Sequence, residues 1–103
     1  MGVTEMPAYF IAQIEIHDPK EYQNYLDGFM PVFLRHGGEL LATTSCKTQV
    51  LEGDWAYPST VIIKFPTMAA ANEWYADPDY KTLCKFRHRS ADTNFVLVEG
   101  LPG

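Results

Sequence analysis

The order in which strand-like and helix-like segments alternate is the strongest constraint on this chain. Ala8, Phe10, Ala12, Ile14 and Ile16 are apolar on one parity, whereas Tyr9, Ile11, Gln13 and Glu15 on the other are mixed. Successive strand side chains point to opposite faces, so the pattern predicts a first strand over 8–16 with one face against a core. Asp18-Pro19 follows at once. Aspartate caps helices, proline suits the first helical position, and Glu21 sits three residues after the cap. Tyr22, Tyr25, Leu26, Phe29 and Phe33 then share one helical face. Gly28 weakens this helix, Pro31 should kink it, and Gly37-Gly38 should stop it.

A second extended stretch is expected over 39–51, bulged near Ser45-Cys46, with a loop over 52–58. The β-branched run 60–65 predicts a third strand. Thr67 can cap a helix over 68–76, and Asp77-Pro78 repeats the cap-plus-proline signal. On the helical piece that starts there, Tyr80, Leu83, Cys84 and Arg87 share a face. A fourth strand is expected over 94–99, ended by Gly100. The order β-α-β-β-α-β is that of the ferredoxin-like α+β fold, one four-stranded antiparallel sheet with helices on one face. A chain of 103 residues is expected to form a single domain over 1–103, with residues 1–7 a loose N-terminal arm.

Helices on one face leave the other bare. Ile11, Val61, Ile63, Val96 and Val98 are the expected occupants of that face. Monomers rarely expose large apolar patches, so a homodimer is expected, its sheets packed together and edge strands two and four meeting across the two-fold. Eight Lys and Arg against thirteen Asp and Glu give a net charge of −5. That balance argues against nucleic acid and against an anionic membrane surface as partners. The apolar runs are far shorter than the ~20 residues of a membrane helix. The N-terminus carries Glu5 and no basic start, unlike a signal peptide. These features together predict a cytoplasmic protein in which Cys46 and Cys84 are reduced, with one disulfide between them left open.

His17, His36 and His88 show no paired spacing, and no Cys/His pair has zinc-site spacing. No phosphate loop, dinucleotide loop or nucleophile elbow occurs. Neither a metal nor another cofactor is therefore expected. Cys84, on an apolar helix face, reads first as a small buried hydrophobe. His36 ends the first helix, where it either stabilises the helix end as a cation or serves as an acid/base or anion-binding residue. It is the candidate catalytic residue. Arg87 either reaches solvent or enters a pocket to meet a carboxylate. Tyr22, Tyr25, Trp74, Tyr75 and Tyr80 are either core or the wall of an apolar ligand pocket. Topology places His36 beside Tyr9 and Glu99, and Arg87 joins them if the second helical piece turns back. The expected ligand site is thus His36, Arg87, Tyr9 and Tyr80. Tyr22, Trp74, Tyr75 and Asn94 form the alternative, at the opposite pole.

Several segments, in order, carry a family resemblance. They are the tyrosine-containing first strand with Asp18-Pro19 and Tyr22-x-x-Tyr25, then His36-Gly37-Gly38, Leu51-Glu52-Gly53-Asp54-Trp55 and Phe65-Pro66. Trp74-Tyr75-x-Asp77-Pro78-x-Tyr80, Arg87 and Asn94-x-Val96-Leu97-Val98-Glu99-Gly100 follow. With these the chain resembles the bacterial domain-of-unknown-function family 1330, within the dimeric α/β-barrel superfamily. The family often has an arginine shortly after the Gly-Gly pair, where this chain has Thr43-Thr44. The resemblance implies a homodimer of ferredoxin-like subunits whose sheets close a shared barrel, and it implies no established reaction. Relatives with this fold include cofactor-free monooxygenases, haem-degrading enzymes, isomerases and stress-related binding proteins, so the fold does not select a function. The expected function is binding of a small, partly apolar, anionic metabolite between helices and sheet. The alternatives are a cofactor-free monooxygenase or isomerase, and a structural or interaction module without a ligand.

Overall fold

Asp18 accepts a hydrogen bond from the Glu21 backbone N–H at 3.1 Å and opens α1 (Pro19–Arg35). The helix continues through Pro31. It gives way to Gly37, whose φ of +78° is left-handed, and to Gly38, where a Cβ would lie 2.3 Å from the Phe33 ring. Glycine is required at the first by its backbone and at the second by close approach. β1 (Ala8–Ile16) precedes α1, and β2 (Glu39–Ala42), β3 (Ser59–Phe65), α2 (Met68–Ala76), α3 (Pro78–Ser90) and β4 (Ala91–Glu99) follow. The strands form one antiparallel sheet in the order β2-β3-β1-β4. This is the ferredoxin-like α+β arrangement. The computed structural model describes residues 5–102, so positions 1–4 of the expected N-terminal arm lie outside the described residues. At the start of β1 the Pro7 carbonyl accepts a hydrogen bond from the Gly100 N–H at 2.7 Å.

Three elements depart from expectation. β2 stops at Ala42 rather than continuing to Leu51. The Cys46 N–H donates to the Thr43 carbonyl at 2.9 Å, and the Thr43 and Ser45 hydroxyls pair at 2.8 Å. Short hydroxyl side chains here favour a turn over further ladder pairing. The irregularity in the β2–β3 pairing accordingly falls between Leu40 and Ala42, not near Ser45-Cys46. β4 begins at Ala91, directly after α3. On α1, Val32 is buried and Leu26 is exposed.

The core lies between the helices and one sheet face. Ala8, Phe10, Ala12 and Ile14 of β1 are buried there. Phe65, Ile63 and Val61 of β3 oppose Ala8, Phe10 and Ala12. Directly opposed residues share a face, so Val61 and Ile63 lie on the helix side and not on the bare face expected for them. Positions 61–63 are apolar on both parities, and the register alone decides. Ile62 takes the outward place, joining Ile11, Val96 and Val98 between Tyr9, Gln13 and Lys64. Trp74 stands at the centre of the core, with the rings of Phe10, Phe29, Phe33, Phe65 and Tyr80 at centroid distances of 4.0 to 6.1 Å.

Candidate functional site

Tyr80, Cys84 and Arg87 recur every three or four residues along α3, so they share the face that packs on α1. Arg87 is carried inward with them and is only 4% exposed. Among the described residues it has no salt-bridge partner. Its guanidinium carbon lies 5.7 Å from the Tyr25 ring centroid and 5.4 Å from that of Phe95, and Nη2 is 3.7 Å from Cys84 Sγ. Aromatic faces attract a cation but do not neutralise it. A guanidinium does not lose its proton in a protein, so a full charge is buried here.

Beside Arg87 a cavity of about 200 Å³ opens between α1 and the sheet. Its floor includes Ala12, Ile14, Val61 and Ile63, and its α1 wall is Tyr22, Tyr25 and Phe29. Three of its lining residues each carry a buried polar atom with no hydrogen-bond partner among the described residues: Arg87 Nε, Trp74 Nε1 and Thr93 Oγ1. The first two only donate, and the hydroxyl can donate. Among the described residues, no aspartate, glutamate or histidine lines the cavity, and Arg87 is the one charged residue that does. Thr43 and Thr44 also stand in its lining.

The neighbouring phenols cannot act as the missing anion. Tyr25 and Tyr80 share a hydrogen bond of 2.9 Å, and burial pushes both hydroxyls well above their ordinary range. Burial also raises the Tyr22 phenol, against an opposing pull from Arg87. All three are neutral near pH 7.

His36 is placed differently. Its Nε2 pairs with Asp77 Oδ2 at 2.8 Å, and Arg35 Nη2 reaches the same oxygen at 2.8 Å and Asp79 Oδ2 at 3.0 Å. Asp77 Oδ1 accepts the Asp79 backbone N–H at 2.8 Å as the N-cap of α3. The His36 contact, then Arg35 and the Asp79 N–H, hold the Asp77 carboxyl well below the usual carboxylate range. This group clasps the end of α1 to the start of α3.

The expected site of His36, Arg87, Tyr9 and Tyr80 is therefore not assembled. Arg87 lies ten residues along α3 from Asp77, about 15 Å at the helical rise, because α3 runs away from His36 rather than back toward it. His36 does not line the cavity. Tyr80 is fully buried with its hydroxyl on Tyr25, and Tyr9 lies on the outward parity of β1. Of the alternative group, Tyr22 and Trp74 join Arg87 at the cavity. Tyr75 does not, and Lys81 Nζ sits 3.6 Å from its ring centroid. Asn94 lies on the outward parity of β4 and donates to Gln13 Oε1 at 3.2 Å. Thr93 escaped the sequence reading; its only signal there is that it shares the inward parity of Phe95.

Among the described residues, no three His, Cys, Asp or Glu side chains gather as a metal site, and no helix is long and apolar enough to cross a membrane.

Solved structures with this fold include a protein of unknown function, RPA0582, from Rhodopseudomonas palustris. It is 24% identical, with a TM-score of 0.73 over 96% of this chain and 85% of that one. SnoaB of Streptomyces nogalater, described as a cofactor-independent oxygenase, is 15% identical, with a TM-score of 0.65 over 95% of this chain and 96% of that one. A dimeric ferredoxin-like protein of unknown function from Thermobifida fusca is 11% identical, with a TM-score of 0.59 over 96% and 95% of the two chains. No functionally curated protein matches the sequence. The family described as Domain of unknown function (DUF1330) matches residues 7–101, nearly the whole chain, and the protein belongs to that family.

Proposed function

We propose that the protein binds a small anion with an apolar body in the Arg87 cavity. One observation carries this reading: among the described residues, Arg87 Nε, Trp74 Nε1 and Thr93 Oγ1 are all buried and unpartnered, and the three residues line one cavity. A buried donor left unmade costs about 1–3 kcal/mol, and a buried charge costs more. A carboxylate or similar oxyanion drawn in beside the Arg87 guanidinium would supply a charged acceptor that the lining lacks, while the remaining wall takes an apolar body.

SnoaB supports an oxygenase as the second reading. Reactions of that kind, like isomerisations, begin most simply with removal of a substrate proton by a side-chain base. Among the described residues the cavity lining holds no carboxylate or imidazole, and burial raises its phenols. The lining therefore favours binding over proton abstraction.

Mass spectrometry of what solvent extraction releases from the native protein tests the proposal. An apolar organic acid near one per subunit is expected from the wild type and not from Arg87→Met. Identical extracts from both proteins would contradict it.

The same proposal includes a homodimer packed through the outward sheet face, where Ile11, Ile62, Val96 and Val98 lie together. The dimeric protein of Thermobifida fusca supports this assembly. Light scattering at micromolar concentration is expected to give twice the subunit mass; one subunit mass would contradict it.

A further inference from the structure

The rim of the Arg87 cavity is as unusual as its interior. Leu26, Met30 and Leu40 line the cavity, yet they are 44%, 39% and 41% exposed, so they form its mouth. Leu34, 59% exposed, follows Leu26 and Met30 at the same four-residue spacing on α1 but does not line the cavity. Residues four apart lie one above the other on a helix, so an apolar strip runs outward from the mouth. Eight residues of α1 give it a length of about 12 Å. The cationic donor Arg87 is deep and the mouth is apolar, which orients any amphiphile head inward and tail outward.

The size of the cavity makes that orientation consequential. A volume of about 200 Å³ is of the same order as the roughly 150 Å³ apolar cavity that takes up one benzene. A ligand larger than a short-chain acid must leave through the mouth, and the rim it meets is leucine and methionine rather than charge.

We propose that the natural ligand class is a straight-chain monocarboxylate, its head toward Arg87 and its tail laid past Leu26 and Met30 onto Leu34. This rests on the anion-binding reading of the cavity and adds the shape of the ligand to it. One head group suffices because the lining offers a single charge.

Isothermal titration with hexanoate and dodecanoate, each below its micelle concentration, tests the proposal on the intact protein and on Leu34→Asp. Full burial of a methylene is worth roughly fourfold in affinity, and contact along an open strip about half of that free energy, or twofold. Dodecanoate is therefore expected to bind the wild type on the order of 30-fold or more tighter than hexanoate. Leu34→Asp should weaken dodecanoate several-fold and leave hexanoate unchanged. Equal affinities for the two acids in the wild type would overturn the tail path and leave the cavity reading standing. No binding of either acid would overturn both. A Leu34→Asp variant that changes the mass in light scattering while dodecanoate affinity stays the same would assign the strip to contact between copies, and would overturn the tail path as well.

Discussion

Arg87 and His36 both present nitrogen donors at the junction of α1 with α3, and the two ends of that junction could not be built more differently. His36 shares Asp77 with Arg35, and every charge in the clasp has a partner within 3.0 Å. Arg87 is buried among aromatic rings, with no salt-bridge partner among the described residues and with Nε unpartnered. A satisfied charge cluster is explained by the fold it holds together. A buried cation without a counter-ion is not, since replacing it by a hydrophobe of similar volume would relieve the burial cost. In the proposed function the unsatisfied end is where a ligand completes the structure.

The largest expected effect follows from that contrast. Arg87→Met should stabilise the ligand-free protein by about 1–3 kcal/mol, because it removes an uncompensated buried charge and keeps most of the volume. Urea unfolding measures it, and a loss of stability comparable to other core truncations would mean that the guanidinium is satisfied after all. Thr93→Val removes one unpartnered hydroxyl at nearly constant volume. It should add about 1 kcal/mol to stability and take about as much from anion binding.

The clasp predicts the opposite behaviour. Folding lowers the Asp77 carboxyl pKa, with His36 the largest cause, so the native state binds fewer protons than the unfolded chain. Its stabilisation is complete above about pH 4, the ordinary carboxylate value, and is lost as pH falls toward the depressed native value. Asp77→Asn should therefore lower the Tm at pH 7 and make the Tm less sensitive to acid. Parallel wild-type and variant curves of Tm against pH would sever the clasp from acid stability. The smallest effect belongs to His36→Ala, which should leave anion affinity unchanged within about twofold while lowering the Tm. The approximate bound is the scatter expected of substitutions with no shared partner.

These two ends were unequally legible in the sequence. Asp18-Pro19, Gly37-Gly38 and Asp77-Pro78 mark helix boundaries through local chemistry, and all three signals sit at boundaries in the structure. The inward face of β3 was not legible, because Val61, Ile62 and Ile63 are apolar in succession and only pairing with β1 selects a parity. The end of β2 was hidden in the hydroxyl-rich turn at Thr43-Ser45, whose hydrogen bonds compete with the ladder. Arg87 was legible as an oddity on an apolar helix face, but not its neighbours. Whether it met His36 or Tyr22 depended on the direction of α3, a tertiary property to which neither residue's surroundings in sequence point. The pairing of His36 with Asp77 spans 41 positions and carries no local signal.

Titration of the wild type and of Arg87→Met with hexanoate, repeated from pH 6 to pH 9, tests the central claim most directly. Arg87 does not titrate in that range, and burial keeps the Tyr22 and Tyr25 phenols neutral at its lower end. The predicted result is a wild-type affinity that stays flat from pH 6 to pH 8 and a loss of roughly 30-fold or more in the variant, the ~2 kcal/mol or more expected when one side of a buried charge-assisted contact is removed. Affinity that survives Arg87→Met, or that rises as pH falls through about 6.5 as an imidazole gains its proton, would place the anion elsewhere and contradict the account.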